Sequence, residues 1–372
     1  MYDNINSIVE IVNQIRGKKI FVVCGKSSFK LSGAKEIFDK LLRSYDLKFF
    51  SDFSSNPKIE DVKKGVKLFN KFNPDIVISV GGGSTIDIAK TINIVSVNQK
   101  SSAENLVKGI DKIFLKGRPF IAIPTTAGSG SEATHFSVVY IDKLKYSLAH
   151  DFLLPDYCIL DAKLTMSTPR HISASSAADA LTQSIESIWS INSTKKSIDY
   201  AKEAIKLLID NVENAVNFQN FESKQNILYG SHMAGKAINI TKTTACHAIS
   251  YPMTSYFGVS HGNAVALTLP ELLIWNFQVT DANVNDKRGV RFVKNSILKI
   301  VDLFGCDTVD ETSIKITQLL KKIGLGTSLK EFDIISREQL DLIISNVNIE
   351  RMGNNPRKLN VDSLVNILSK IK

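Results

Sequence analysis

Ile76-Val-Ile-Ser-Val-Gly-Gly-Gly-Ser-Thr-Ile-Asp-Ile-Ala-Lys90 changes character in its middle. Its first residues are a short β-branched run, which reads as a buried strand. Three glycines follow at once, and the chain then turns to helical spacing. A strand that stops on glycines and passes straight into a helix is the repeating unit of parallel α/β sheets. Glycines at that junction let a ligand approach the backbone, and the helix N-terminus offers N–H groups and its positive dipole end to a diphosphate. A tight turn without a ligand has the same composition. The segment Gly81-Gly-Gly-Ser84 is neither a G-x-G-x-x-G fingerprint nor a P-loop, because no Gly-Lys-Ser/Thr follows it. Ser84 is placed to cap the helix or to bond a phosphate oxygen.

The same alternation extends to both sides. Residues 4–16 have helical spacing, and Lys18–Cys24 is a strand ending at Gly25. Gly25-Lys-Ser-Ser-Phe leads into a helix predicted to reach about Tyr45, and Phe49 and Phe50 mark a second strand. Residues 59–72 are helical and are broken by Asn73-Pro-Asp, while Phe120-Ile-Ala-Ile-Pro124 is a further strand. The Lys-Gly-Ile-Asp-Lys segment near residue 110 reads as an exposed excursion. From about residue 171 the texture is helical only, with periods over 173–191, 196–216, 222–250, 263–278, 288–304, 311–323, 337–347 and 361–371. The prediction is an α/β domain with a parallel sheet over residues 1–165, joined to an all-α domain over 166–372.

With 372 residues, 44% hydrophobic and 22% charged, the composition is that of an ordinary globular protein large enough for two domains. No apolar run approaches the roughly 20 residues of a membrane span, and the first residues lack a signal peptide's basic and apolar regions. The four cysteines are far apart and lack CxxC spacing, which suits buried thiols in a reducing cytoplasm. The net charge of +9 is spread over amphipathic helices such as Lys58 to Lys71. That is a solvated face rather than a nucleic-acid footprint, and it weakly favours an anionic substrate or cofactor.

Three loops would leave the carboxyl ends of parallel strands, where ligands of such sheets bind. Beside Gly81-Gly-Gly-Ser84 stands Thr125-Thr-Ala-Gly-Ser-Gly-Ser-Glu132, rich in hydroxyls and glycine, or else a plain polar loop. The third is Gly25-Lys26-Ser27-Ser28. An acid near such a strand end repels a 2′-phosphate; a lysine and two hydroxyls there favour NADP over NAD. In the helical half, His247 and His261 bracket one stretch, and a loop between two helices could aim both imidazoles at a metal. Two unrelated histidines have the same spacing. Asp179 and Gln183 lie one turn apart on one helix face. A carboxylate among Ala177, Ala178, Ala180 and Leu181 requires a cation or a hydrogen-bond network if it is buried, or is otherwise capped or solvated.

Together Gly81-Gly-Gly-Ser-Thr-Ile-Asp87, Pro124-Thr-Thr-Ala-Gly-Ser-Gly-Ser-Glu132, Asp179-Ala-Leu-Thr, and His247 with His261-Gly262 ahead of Leu269-Pro270 resemble the iron-containing (group III) alcohol dehydrogenase family over essentially the whole chain. Within it, Lys145-Tyr-Ser-Leu-Ala-His150, Glu186-Ser-Ile-Trp-Ser-Ile-Asn192 and Thr241–Pro252 look most like the phosphonoacetaldehyde reductase branch.

The resemblance implies a dinucleotide-binding N-terminal domain, a helical metal- and substrate-binding C-terminal domain and a cleft between them. Gly25, Lys26, Ser27, Gly81, Gly82, Gly83, Ser84, Asp87, Thr125, Thr126, Ser129 and Ser131 would hold NADPH or NADH. Asp179, His247 and His261 match three of the family's metal ligands, for Fe(II) or Zn(II). The fourth, a histidine in the family pattern, is Gln183, whose amide oxygen is a weaker ligand or a group behind the ligands. Tyr251 stands where many members carry a histidine assigned to proton transfer, so it would orient substrate or donate a proton, directly or through water.

The implied activity is NAD(P)H-dependent, metal-assisted reduction of an aldehyde to a primary alcohol, phosphonoacetaldehyde to 2-hydroxyethylphosphonate. For the phosphonate, Lys242 and His150 rank ahead of Thr243, Thr244, Arg351 and Arg357. The alternatives are a dehydrogenase for a neutral primary alcohol or aldehyde, and a metal-free nucleotide-binding homologue without activity. The expected setting is a cytoplasmic homodimer or larger homo-oligomer, with no nucleic-acid or membrane partner.

Overall fold

The structure, a computed structural model, describes residues 1–54, 56–142 and 144–372. The chain divides into two units, Met1–Thr168 and Pro169–Lys372.

The first unit runs α1 (Ile8–Ile15), β1 (Lys19–Cys24), α2 (Ser28–Leu31), α3 (Ala34–Leu41), β2 (Asp46–Phe50), α4 (Ile59–Phe72), β3 (Ile76–Gly81), α5 (Gly83–Val97), α6 (Ala103–Val107), β4 (Phe120–Pro124), β5 (Phe136–Ile141), β6 (Leu144–Ala149) and β7 (Tyr157–Cys158). Five strands form one sheet in the order β2-β1-β3-β4-β7, every neighbouring pair parallel. The central strands β1, β3 and β4 are buried on both faces, as a parallel sheet covered by helices requires, while the edge strand β2 is mostly exposed. Ile20, Val22, Ile76, Ile78, Val80, Ile121 and Ile123 meet Ile8, Ile11 and Phe38 on one face. Phe21, Val23, Val77, Phe120 and Ala122 meet Val62, Phe69, Ile88 and Ile92 on the other. Because β1, β3 and β4 are adjacent and parallel, the turns beginning at Gly25, Gly82 and Thr125 leave from one edge of the sheet.

Two local expectations differ from the structure, and a third agrees with it. The helix expected from Gly25 to Tyr45 is two helices, parted at Gly33, whose φ of +76° ends one and starts the other. The antiparallel hairpin β5–β6 carries no strand in the sequence reading, because hydroxyl and lysine residues dilute its period-2 alternation. Residues 110–115 do form an exposed excursion, with Ile110, Phe114 and Leu115 facing solvent.

The second unit is helical throughout: α7 (Arg170–Trp189), α8 (Lys195–Asn217), α9 (Phe221–Thr241), α10 (Ala245–Phe257), α11 (His261–Phe277), α12 (Val290–Phe304), α13 (Val309–Lys322), α14 (Arg337–Ser345), α15 (Ile349–Met352) and α16 (Val361–Lys370). The helix expected over 222–250 is α9 and α10. Lys242 adopts φ +57°, a left-handed value that no glycine signals, and the chain restarts at Ala245. α7 is buried on nearly every side, including Asp179, Gln183 and Glu186. No helix among the described residues is long and apolar enough to cross a membrane.

Candidate functional site

α7 is lined with alanines and serines, so its neighbours approach closely. Gly262, the second residue of α11, meets it where a Cβ would sit 1.7 Å from the carbonyl oxygen of Ser175. Only glycine permits that approach. It sets His261 against the turn of α7 that carries Asp179. His247 arrives from α10, 68 positions after Asp179 in the chain, with Nε2 3.2 Å from Asp179 Oδ1. The rings of His247 and His261 lie 5.6 Å apart, nearly perpendicular at 72°. Tyr251, one turn along α10 from His247, stacks its ring on His261 at 6.1 Å and 20°. One donor atom each from Asp179, His247 and His261 lies within 4.8 Å of the other two.

Gln183 is the fourth member. It hydrogen-bonds to Asp179, while its Oε1, buried, has no partner. A buried amide oxygen without a donor costs free energy unless something electropositive meets it. Two imidazoles, a carboxylate and an orphaned amide oxygen suit a divalent cation, and both Fe(II) and Zn(II) accept such ligands. The residues therefore fit the metal that the sequence resemblance implies.

Glu186 completes the face one turn further along α7, and sequence reasoning assigned it no role. It is wholly buried. Its Oε1 accepts from Thr244 Oγ1 at 2.7 Å and from the Cys246 N–H at 2.8 Å, and its Oε2 stands 2.5 Å from His247 Nδ1. The signal was available, since Asp179, Gln183 and Glu186 recur at the i, i+4, i+7 spacing of one helix face. Burial works against the charged form of His247, but the charges and hydrogen bonds of Glu186 and Asp179 outweigh it and raise its pKa to about 10. Burial likewise pushes both carboxylates up. Contacts with His247 and His261 outweigh this for Asp179, and those with His247 and Thr244 for Glu186, so both are held below their ordinary values.

In the first unit the glycine turn and the hydroxyl-rich loop meet. A Cβ on Gly83 would lie 2.4 Å from Ser129 Oγ, and one on Gly82 3.1 Å from Thr126 Oγ1. The Thr125 N–H donates to Gly81 O at 3.0 Å. Gly82 opens α5 without a side-chain cap. This is a surface of backbone and small hydroxyls, the chemistry a diphosphate requires.

Asp87 and Ser131 bond to each other. Ser131 Oγ donates to Asp87 Oδ1 at 2.5 Å and the Val138 N–H to Oδ2 at 3.0 Å, so Asp87 ties the loop and β5 to α5. Lys90, which sequence reasoning passed over, is buried beneath the same loop. Its Nζ donates to the carbonyls of Ser131, Thr134 and Phe136 at 2.6–2.8 Å. Burial outweighs the nearby Asp87 and Glu132 and lowers its pKa to about 8. Gly25 packs on Ser28, where a Cβ would lie 2.2 Å from Oγ. Ser27 precedes α2 without capping it through its side chain, and exposed Lys26 pairs with Asp52 at 3.5 Å. Asp52, after β2, is the acid that reading residues 25–28 alone overlooked.

The substrate candidates scatter. Lys242 pairs with Glu350 at 3.0 Å on the surface of the second unit. His150, in the first unit, accepts the Phe152 N–H on Nδ1 at 3.1 Å and caps a short helical turn. Thr243 gives its carbonyl to Asn354, Thr244 is bound to Glu186, and Arg351 is buried. Arg357 places its Cζ 3.6 Å from the Trp275 ring centroid and donates to the Trp275 carbonyl.

Residues 2–162 match the family model Iron-containing alcohol dehydrogenase, and residues 173–372 match Fe-containing alcohol dehydrogenase family, C-terminal. Long-chain-alcohol dehydrogenase 1 of Geobacillus thermodenitrificans is 32% identical over 272 residues, 72% of this chain and 69% of that protein. Phosphonoacetaldehyde reductase of Streptomyces viridochromogenes is 28% identical over 302 residues, 79% of this chain and 75% of that one. Among solved structures, sulfoacetaldehyde reductase from Bifidobacterium kashiwanohense in complex with NAD+ superposes with a TM-score of 0.88. It is 28% identical, covering 98% of this chain and 94% of that one.

Proposed function

The chain belongs to the iron-containing alcohol dehydrogenase family, and from that premise we propose that it reduces a small anionic aldehyde, phosphonoacetaldehyde, to the primary alcohol 2-hydroxyethylphosphonate, using NADPH or NADH and Fe(II) or Zn(II). The observation that carries the reading is the buried convergence of Asp179, His247 and His261 on one point, with the Gln183 amide oxygen unsatisfied beside them. When bound, the metal supplies Lewis acidity at the aldehyde oxygen and the dinucleotide supplies the hydride.

The residues divide the remaining work. Asp179 contributes the negative charge that a divalent cation needs, and the two imidazoles set its position. The glycine turn at Gly81–Gly83 and the hydroxyls of Thr126 and Ser129 receive the diphosphate. Lys26, after β1, is suited to a 2′-phosphate but would have to exchange Asp52 for it, and the Asp52 carboxylate instead favours the unphosphorylated ribose of NADH. Tyr251, on the face of α10 beside His261, delivers the proton that converts the alkoxide to the alcohol, directly or through water.

The choice of an anionic substrate is supported by two of the similar proteins, which are named for two-carbon aldehydes bearing a tetrahedral anion. Lys242 would exchange Glu350 for that anion. His150, with Nδ1 already engaged, is the weaker candidate. The Geobacillus relative favours a second reading, a neutral long-chain alcohol or its aldehyde. NADPH oxidation by the Fe(II)-loaded protein with phosphonoacetaldehyde, sulfoacetaldehyde and butanal separates them. Phosphonoacetaldehyde should exceed butanal in kcat/KM by about 10–100-fold, the worth of one or two charge-assisted hydrogen bonds. Equal turnover or a preference for butanal rejects the anionic substrate, and a preference for sulfoacetaldehyde moves the assignment to the sulfonate.

A further inference from the structure

We propose that Glu186 is a positioning residue that presents His247 to the metal, by holding the imidazole in the tautomer whose Nε2 carries the lone pair. The inference rests on the metal-site reading above and goes beyond its ligands. An imidazole has two nitrogens, and the group that accepts from one decides which is left to ligate. Here the division is unambiguous. His247 Nδ1 faces Glu186 Oε2 at 2.5 Å, and Nε2 faces Asp179 at 3.2 Å, inside the cluster that includes His261.

The carboxylate is itself held. Its other oxygen accepts from Thr244 Oγ1 and from the Cys246 N–H, and Thr244 in turn accepts from Trp189 Nε1 at 2.9 Å. Trp189 and Glu186 both belong to α7, the helix that carries Asp179 and Gln183. Thr244, the N-cap of α10, and Cys246 lie three and one residues before His247. One buried side chain thus fixes the entrance of α10, the orientation of the ring and its proton, all relative to the helix bearing the other ligands. A second negative charge behind the imidazole also strengthens it as a donor, which offsets the weak amide ligand at Gln183.

Glu186→Gln tests this. The amide oxygen can still accept from Thr244 and Cys246, but its NH2 then faces Nδ1, forcing Nδ1 to accept and placing the proton on Nε2. Metal affinity is read by competition with a chromogenic chelator, using Zn(II) and Co(II), and the ligand set by the visible spectrum of the Co(II) protein. Glu186→Gln should bind about 10–100-fold more weakly with an altered Co(II) spectrum, while Glu186→Asp should recover part of the affinity. If Glu186→Gln does not fold, Thr244→Val, which removes one anchor of the carboxylate, should weaken binding severalfold. Unchanged affinity and spectrum in the folded variant, or in Thr244→Val where that is used, overturns the role of Glu186 and leaves the metal site standing. Failure of the unaltered protein to bind either ion overturns the metal site and the role of Glu186 with it.

Discussion

Gly262, the second residue of α11, lies against the carbonyl oxygen of Ser175 on α7, so near that an added Cβ would lie 1.7 Å from it. The helix bearing Asp179 and the helix bearing His261 are brought together at a point that has no room for a side chain. Gly262→Ala must therefore part α7 from α11. Overpacking of this kind costs about 1–3 kcal/mol, and here it falls on the geometry of the metal ligands. The expected result is a lowered thermal midpoint and a loss of Zn(II) affinity larger than the stability loss alone would produce. Calorimetry and chelator competition on the same variant check it, and unchanged metal affinity would contradict it.

The metal-free protein should show a specific pH dependence. The His247 pKa is raised in the folded chain from 6.5 to about 10. The stability this provides is fully present below about pH 6.5 and is lost as pH rises through about 10. Thermal midpoints of metal-free protein should decline across that window. Metal binding displaces the Nε2 proton, so the decline should flatten in the loaded protein. Affinity should rise by about tenfold per pH unit below the folded pKa. Titration calorimetry in buffers of different ionisation enthalpy would report a proton released on binding; none released would refute it.

Gln183 separates this site from the family pattern. Gln183→His supplies a fourth strong ligand and should bind Zn(II) more tightly, by about tenfold or more, within the range that single groups at metal sites control. Gln183→Ala should lose less affinity than His247→Ala, because two imidazoles and a carboxylate remain. Chelator competition gives both rankings, and no change in either variant would make Gln183 a bystander.

The cysteines should be silent in the native protein save one. Cys24, Cys158 and Cys246 are buried and Cys306 is half-buried. Burial pushes the Cys24 thiol up to about 11 and, as the largest cause, that of Cys246 well above its ordinary value. A thiol reagent at neutral pH should label a single cysteine, Cys306, and all four after unfolding. Peptide mapping identifies the labelled residue.

The division into a parallel α/β unit and an all-helical unit was readable because hydrophobic period changes from strand–helix alternation to helix alone, as in Ile76–Lys90 and α8. The helix break at Lys242 was not readable, because a lysine at φ +57° announces nothing and tertiary packing imposes it. β5 and β6 escaped because their exposed positions alternate too weakly. At the site, Asp179 and His247 are 68 positions apart, a separation no local pattern encodes, and family resemblance alone paired them as candidates. Glu186 lay in plain view as the third member of a helical polar stripe. Lys90 did not, since a lysine on an amphipathic pattern reads as solvated until its burial is seen.

The central claim is that Asp179, Gln183, His247 and His261 hold a metal ion on which reduction depends. Protein stripped by a chelator and titrated anaerobically with Fe(II), with NADPH and phosphonoacetaldehyde present, tests it most directly. NADPH oxidation should rise from near zero and break at a single ion per chain, and His261→Ala should abolish the break. Full turnover by the stripped protein, or a titration that His261→Ala leaves intact, would contradict it.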